Sequence, residues 1–359
     1  MFPPPVYLQM PAIGFDISDR SAKYVEVSKK NGDVFVRRFG RAVIPEGVIE
    51  GGEIKKKDEL VEFLKSVKKE LKSEYLIANL PEEKAYVVDV KMPVVHPNQI
   101  REVLELQLEE FIPLSAKEAI FDYETIERPG TGSNCLNINL IAFPRQLAED
   151  YRDSFVLSGF TPLAFELEIR ASVRAIVPKN ETRAIMFIDF GRTRTTFAII
   201  SKSKIQSTST IKAGGEELEK AIIKNLQISK EQADKLKKEK GFTKSKENEN
   251  FFNSILPVVS AIKDEALKYI NYWNSHSEEG HSDKVSKILL CGGDSNLIGF
   301  PEYLSFELKL PAELGNPWVN IFSLEENIPA IELRESLIYA TALGLALRQW
   351  HGDENEFFA

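Results

Sequence analysis

The chain has 359 residues, 43% of them apolar and 28% charged, which is enough for two lobes with separate cores. Its net charge of −8 argues against nucleic acid as a main partner, because phosphate backbones attract clustered Lys and Arg. No window approaches about 18 uninterrupted apolar residues, so no transmembrane helix is expected. The start, Met1-Phe2-Pro3-Pro4-Pro5, lacks the layout of a secretory signal, and Cys135 and Cys291 read as buried thiols of a reducing compartment; both point to the cytoplasm.

The first recognisable element is a hairpin. Ile13-Gly14-Phe15-Asp16-Ile17 is a short apolar strand ending near an Asp; Ser18-Asp19-Arg20-Ser21 turns, and Lys23-Tyr24-Val25-Glu26-Val27 returns. Residues 34–39 continue the meander. Asp58 is placed to cap a helix with Leu60, Val61, Leu64, Val67 and Leu71 on one face. Residues 75–80 form the next strand. An insert then spans residues 85–143. Its helix starts near Pro97 and Asn98, carries Ile100, Val103, Leu104, Leu108 and Phe111 on one stripe with acids opposite, and ends at Pro113. The acids of residues 102–110 read as a solvated face or as the wall of a groove for a basic peptide. Residues 137–143 close the insert as a strand, and a helix over 145–158 follows, with Gly159 as its C-terminal glycine.

A second hairpin repeats the pattern. Met186-Phe187-Ile188-Asp189-Phe190 leads into Gly191-Arg192-Thr193-Arg194-Thr195-Thr196 and returns through Phe197-Ala198-Ile199-Ile200. Residues 234–250 are lysine-rich without apolar period and read as a solvated loop. Residues 255–273 form a long helix, and residues 275–283 a polar loop. Ile288-Leu289-Leu290-Cys291-Gly292-Gly293-Asp294-Ser295-Asn296 is a strand, a glycine turn and a helix start. Residues 335–350 form a final helix before an acidic tail over 352–359. Alternating strands and helices indicate an α/β fold with mixed sheets.

Hairpins of this kind offer backbone N–H groups and hydroxyls to phosphate oxygens, while Asp16 and Asp189 can hold Mg²⁺ through its water shell. A tight turn alone also demands such residues; the pair, half a chain apart, points to a duplicated fold with a nucleotide between the halves. Ser18, Ser21, Gly191, Thr193 and Thr195 are the candidate phosphate contacts, and Gly292, Gly293 and Asn296 the candidates beside a base or ribose. The four histidines show no metal-ligand spacing, and no Ser-His-Asp or Cys-His arrangement can be argued.

In this order the three motifs resemble the phosphate-1, phosphate-2 and adenosine motifs of the actin-like ATPase superfamily. Met92-Pro93, Glu110-Phe111-Ile112-Pro113 and Asp122-Tyr123 within the insert look like the PilM family of type IV pilus assembly. The resemblance runs from about residue 13 to about residue 348. It implies an actin-like (ribonuclease H-like) two-lobe ATPase fold with a small α/β subdomain inserted in the first lobe. The expected layout is a first lobe over 1–84 and 144–181, the insert over 85–143, a second lobe over 182–334, and a connecting helix with tail over 335–359. A first connecting helix is expected over 165–176.

The resemblance also implies ATP and Mg²⁺ as ligands, with slow turnover at most. Lys23 matches a lysine the family carries after the first hairpin. Glu168 falls where relatives place an acid near the attacking water. Gly214, Gly215 and Glu216 match a turn whose N–H groups face phosphate or ribose, and Glu265 with Lys268 matches a pair that flanks adenosine, or else is a surface ion pair. The chain departs from the pattern at Ser18, where the family has Gly, and at Asp19, whose charge would oppose phosphate unless Mg²⁺ or Arg20 offsets it; Arg192 and Arg194 add compensating charge, and Asp294 replaces a small residue. The implied partners are the N-terminal cytoplasmic peptide of a single-span PilN-like protein, other pilus-platform proteins and further copies of the chain, with localisation at the inner membrane through that partner. An FtsA-like division protein is the alternative, though the acidic tail lacks the basic amphipathic helix which anchors that protein. A metabolic kinase of the same superfold ranks below both, because no segment identifies a catalytic Asp or a sugar pocket.

Overall fold

The computed structural model describes residues 12–30, 33–126, 135–276, 284–322, 325, 328–329 and 331–350. The chain forms two compact units, Met1–Ser172 with Thr341–Ala359, and Val173–Ala340. These divisions fall within helices, earlier than residue 181 and later than residue 334. Of the polar loop expected over 275–283, residues 275 and 276 are helical, and the rest, with the expected tail and the amino-terminal residues before Ala12, lies outside the described residues.

The first unit opens with a meander, β1 (Ile13–Ile17), β2 (Ser21–Lys30) and β3 (Asp33–Val43), followed by a two-stranded ribbon of β4 (Ile49–Glu50) and β5 (Glu53–Ile54). Helix α1 (Lys57–Lys68) buries Leu60, Val61, Leu64 and Val67 as expected, but its N-cap is Lys56, and Asp58 sits inside the first turn. There the carboxylate favours the helix dipole rather than capping an N–H. Strand β6 (Tyr75–Leu80) runs parallel to β1.

The insert contains β7 (Tyr86–Pro93), α2 (Ile100–Leu106), α3 (Leu108–Phe111), β8 (Ala119–Ile126) and β9 (Cys135–Pro144), its sheet ordered β7-β9-β8. The expected single helix is broken at Gln107 (φ −104°, ψ 8°), and Ile112 before Pro113 is extended. Ile100, Leu104 and Leu108 still point into the core. Cys135 is exposed at the start of β9, whose burial begins two residues later, unlike the buried Cys291.

Helix α4 (Arg145–Leu157), strand β10 (Thr161–Leu167) and helix α5 (Glu168–Ile176) complete this unit. The expected helix over 165–176 therefore begins as strand: residues 165–167 pair with β6, and the helix starts at Glu168. The sheet order is β10-β6-β1-β2-β3, and Phe15 packs edge-on against Phe155 at 5.5 Å.

The second unit repeats the plan. Strands β11 (Ile185–Phe190), β12 (Thr195–Ser201) and β13 (Lys204–Ile211) form the meander, followed by helices α6 (Gly215–Leu226), α7 (Lys230–Lys240) and α8 (Glu249–His276). Then come β14 (Ile288–Cys291), α9 (Phe300–Leu308), β15 (Ala312–Leu314), α10 (Leu333–Ser336) and α11 (Ala340–Leu347), which re-enters the first unit. Its sheet order, β15-β14-β11-β12-β13, matches the first sheet strand for strand.

Helices α7 and α8 overturn the two ends of the loop expected over 234–250, and residues 241–248 remain outside any helix. Ser229 caps α7, accepting from Gln232 N–H while the Gln232 side chain accepts from Ser229 N–H. Helix α8 begins six residues before the expected start and passes through Pro257, with Ile255 before it and Val259 after it both buried in the core. Close backbone contact brings α11 onto β1: a Cβ on Gly14 would lie 1.8 Å from the Ala342 carbonyl oxygen. Among the described residues, no helix is long and apolar enough to cross a membrane.

Candidate functional site

Each unit presents its own hairpin. In the first, Asp16 is opposite Lys23 in the β1–β2 register, and the Lys23 ammonium meets the Asp16 carboxylate at 2.7 Å. Asp16 is 5% exposed, so the pair neutralises an otherwise costly buried charge. Ser18 closes the turn: its N–H and its hydroxyl both donate to the Ser21 carbonyl at 3.0 Å. The Ser18 hydroxyl is thus committed within the hairpin, and Ser18 is not among the residues of positive φ, so replacing Gly there strains nothing.

Asp19 corrects an expectation. Its carboxylate accepts from Gly51 N–H at 2.7 Å and Gly52 N–H at 2.9 Å, capping the β4–β5 turn. The carboxylate is thus committed to the β4–β5 turn, and Arg20 pairs with Glu46 at 3.4 Å.

Asn79 is a site residue that sequence reasoning missed. The β1–β6 ladder ends at Phe15 and Ala78, and the Asn79 side chain carries the pairing one residue further. Its amide accepts from Ile17 N–H at 2.7 Å and donates to the Ile17 carbonyl at 3.0 Å. The same amide donates to Glu168 Oε1 at 2.9 Å. Glu168, at the start of α5, is thereby joined to the residue after Asp16.

In the second unit, Asp189 lies one residue before the end of β11, beside Gly292 (φ +85°), where a Cβ would lie 2.4 Å from Asp189 Oδ1. Only Gly fits there. Gly191 N–H donates to the Arg194 carbonyl at 3.0 Å, closing the turn that carries half-buried Thr193. Thr195 is a correction: it is fully buried, and its hydroxyl donates to the Ala213 carbonyl at 2.5 Å. All of β12 is buried, and the hydroxyl is committed to a backbone partner inside the protein.

The Gly214-Gly215-Glu216 turn is a second correction. Gly215 N–H donates to the Gly191 carbonyl at 3.1 Å, and Glu216 N–H to the Arg192 carbonyl at 2.8 Å. Gly214 N–H donates to Glu217 Oε2 at 3.2 Å. The start of α6 is docked on the hairpin, and the N–H groups expected to face a ligand hold these two elements together. Gly214 is required because a Cβ would lie 2.5 Å from the Arg192 oxygen.

Around this dock lies a charge network. Arg192 pairs with Glu219 at 3.0 Å, so its charge is spent locally. Lys237 Nζ meets Glu219 Oε1 at 2.9 Å and Asp294 Oδ1 at 2.7 Å, with all three side chains at most 14% exposed. Burial alone would push the Lys237 ammonium down, but Asp294 and Glu219 hold it above its ordinary value. The Asp294 carboxylate lies over Gly215, where a Cβ would be 2.1 Å from Oδ2. Lys237 sits in the stretch expected to be solvated, and the Ser229–Gln232 box was the signal that it lay on a helix.

Gly293 is exposed beside this network, and Asn296 donates through Nδ2 to the Arg334 carbonyl at 2.8 Å. Its Oδ1 is buried without a hydrogen bond. Glu265 and Lys268 pair with each other at 3.3 Å on α8, Lys268 facing solvent, which matches the surface-pair alternative. Among the described residues, no cluster of three His, Cys, Asp or Glu is arranged to hold a metal by direct ligation.

Known proteins share this architecture. A PilM–PilN type IV pilus biogenesis complex matches with TM-score 0.80 at 18% identity, over 95% of this chain and 99% of that one. The ethanolamine utilization protein EutJ from Carboxydothermus hydrogenoformans matches with TM-score 0.54 at 16% identity, over 96% and 90%. MreB 5 of Spiroplasma citri bound to AMPPNP matches with TM-score 0.54 at 13% identity, over 92% and 93%. These likenesses give the two-lobe actin-like fold. No curated protein matches in sequence. The model of the type IV pilus assembly protein PilM family matches residues 14–350, and the chain belongs to that family.

Proposed function

We propose that the chain is a cytoplasmic scaffold of the pilus inner-membrane platform, which receives the N-terminal cytoplasmic peptide of a single-span PilN-like protein and binds ATP with Mg²⁺. The observation that carries this reading is a cavity of about 580 Å³ within the first unit. Glu53, Glu83, Lys84, Tyr86, Leu147 and Tyr151 are among its walls, so it lies where the start of the insert meets the β4–β5 ribbon and helix α4. Tyr86 opens β7, an edge strand of the inserted sheet. An extended peptide can add to such an edge, its backbone supplying affinity and alternate side chains supplying register. Hydrogen bonds from Lys55, then Lys84, lower the Glu53 carboxyl from 4.5 to about 2, so the wall keeps its negative charge at cellular pH. A solved relative is a PilM–PilN complex, which supports this partner class.

The nucleotide reading rests on the hairpins and on a relative solved with AMPPNP. Asp16 and Asp189 are each a single carboxylate, which suits Mg²⁺ held through water better than a protein cage. Lys23 and Lys237 are the cations proposed for phosphate and ribose, and Glu168 is the acid proposed near an attacking water. Turnover is slow at most, and ATP orders the scaffold. Other platform proteins and further copies of the chain are the remaining partners, and the membrane is reached through the single-span protein.

Photo-crosslinkers at Tyr86 and Gln146, which line the cavity, test the partner site; Met92 is buried in the insert core and is unsuitable. They should capture the N-terminal peptide of the single-span protein encoded beside this chain. A crosslinker at exposed Lys238 of the second unit should not. Capture from Lys238 alone would move the partner site and remove this account of the insert.

A further inference from the structure

The first turn of α5 makes two sets of polar contacts within the first unit. Glu168 receives the Asn79 amide, which also pins both backbone groups of Ile17 at the end of β1. Two residues on, Arg170 pairs with Glu124 of β8 at 3.0 Å and donates to Asn139 Oδ1 of β9 at 3.3 Å. Asn139 in turn donates to Asp89 of β7 at 3.2 Å. Between them, Ile169 N–H donates to Glu82 Oε2 at 3.0 Å. One helical turn therefore reaches the phosphate-type hairpin through Asn79, touches β8 and β9 of the insert directly and reaches β7 through Asn139.

Physical chemistry makes this connection stiff. Asn79 is fully buried, and the Arg170 and Glu124 side chains are 15% and 14% exposed. Separating Arg170 from Glu124 would leave a largely desolvated charge, which is strongly unfavourable. A helical turn moves as a body, so a displacement at Glu168 is passed to Arg170. We propose that this turn is a relay by which the state of the first hairpin sets the inserted sheet and so regulates the peptide groove; the regulatory part rests on the function proposed above. Arg170 and Asn79 are positioning residues in it.

Hydrogen exchange of the full chain, read peptide by peptide, tests the relay without a nucleotide. Asn79→Asp faces Glu168 with a like charge and cannot donate to Ile17. It should raise exchange in β8 and β9 by about fivefold or more, the lower range of site-to-site coupling, while β11 and β12 stay unchanged. In an Arg170→Met background the same substitution should add nothing further. Should Asn79→Asp fail to fold, Glu168→Gln keeps the shape, removes the charge and is judged by the same criterion. An unresponsive insert, or a response undiminished by Arg170→Met, overturns the relay. A second arm adds AMPPNP with Mg²⁺ to the unmodified protein. Protection of β1–β2 with no change in the insert overturns the regulation. No protection of β1–β2 counts against nucleotide binding, and the Asn79 arm then decides the relay by itself.

Discussion

The two hairpins share a sequence pattern and a place in their sheets, yet they are held in different ways. The first is stabilised from inside and from one neighbouring strand: Lys23 neutralises Asp16, Ser18 closes on Ser21, and Asn79 clamps Ile17. The second is held from outside, by α6 docked on the turn and by a buried network of Arg192, Glu219, Lys237 and Asp294. Duplication preserved the strand–turn–strand frame, while the fastening of each copy came from whatever the chain supplied next to it. The first hairpin thus depends on neutral hydrogen bonds and one ion pair, the second on shared charges with little access to water.

Lys237→Met should expose this difference most strongly. It leaves Glu219 and Asp294 sharing a desolvated space with only Arg192 nearby, and a loss of about 3–5 kcal/mol is expected in chemical denaturation. A loss below about 1 kcal/mol would mean that the second hairpin does not depend on the network. Asn79→Ala should cost less, about 1–3 kcal/mol, since it orphans the buried N–H and carbonyl of Ile17. The same denaturation curves report it, and a neutral result would refute the clamp.

Asp19→Ala ranks third. It removes two charge-assisted bonds to the β4–β5 turn, one of them exposed, for a loss of about 1 kcal/mol. Its more telling consequence is that AMPPNP affinity should not improve, because the carboxylate is committed to that turn. Improved binding would place Asp19 back at the hairpin mouth.

Glu53→Gln should have the smallest effect. The folded carboxyl is lowered to about 2 from 4.5, so its contribution is present above 4.5 and is lost as pH falls toward 2. Solvent screening of this half-exposed side chain keeps it small. The difference in denaturation midpoint between wild type and variant should be measurable at pH 6, begin to close below about pH 4.5 and vanish near pH 2; a difference that grows on acidification contradicts the assignment.

Much of the fold was legible because each strand–turn–strand carries its own signal within about fifteen residues. The insert was legible through the Ile100, Leu104 and Leu108 stripe. The fastening was not. Asp19 finds its partners at Gly51 and Gly52, and Thr195 turns inward to Ala213, contacts that no local pattern announces. Helix α7 was hidden because it buries only Ala233 and Lys237, so its periodicity is carried by a lysine. Whether that lysine is solvated depends on Glu219 and Asp294, which lie on other elements. Glycines were read as ligand-facing for a sound reason, their lack of Cβ, but at Gly214 and Gly215 the space is filled by the protein itself.

Calorimetry with AMPPNP and Mg²⁺, on the wild type and on Asp16→Ala with Asp189→Ala, tests most directly whether this pair of hairpins still serves a nucleotide. The account predicts binding heat in the wild type that is lost in the double variant. Equal heats in both proteins, or none in either, would contradict it.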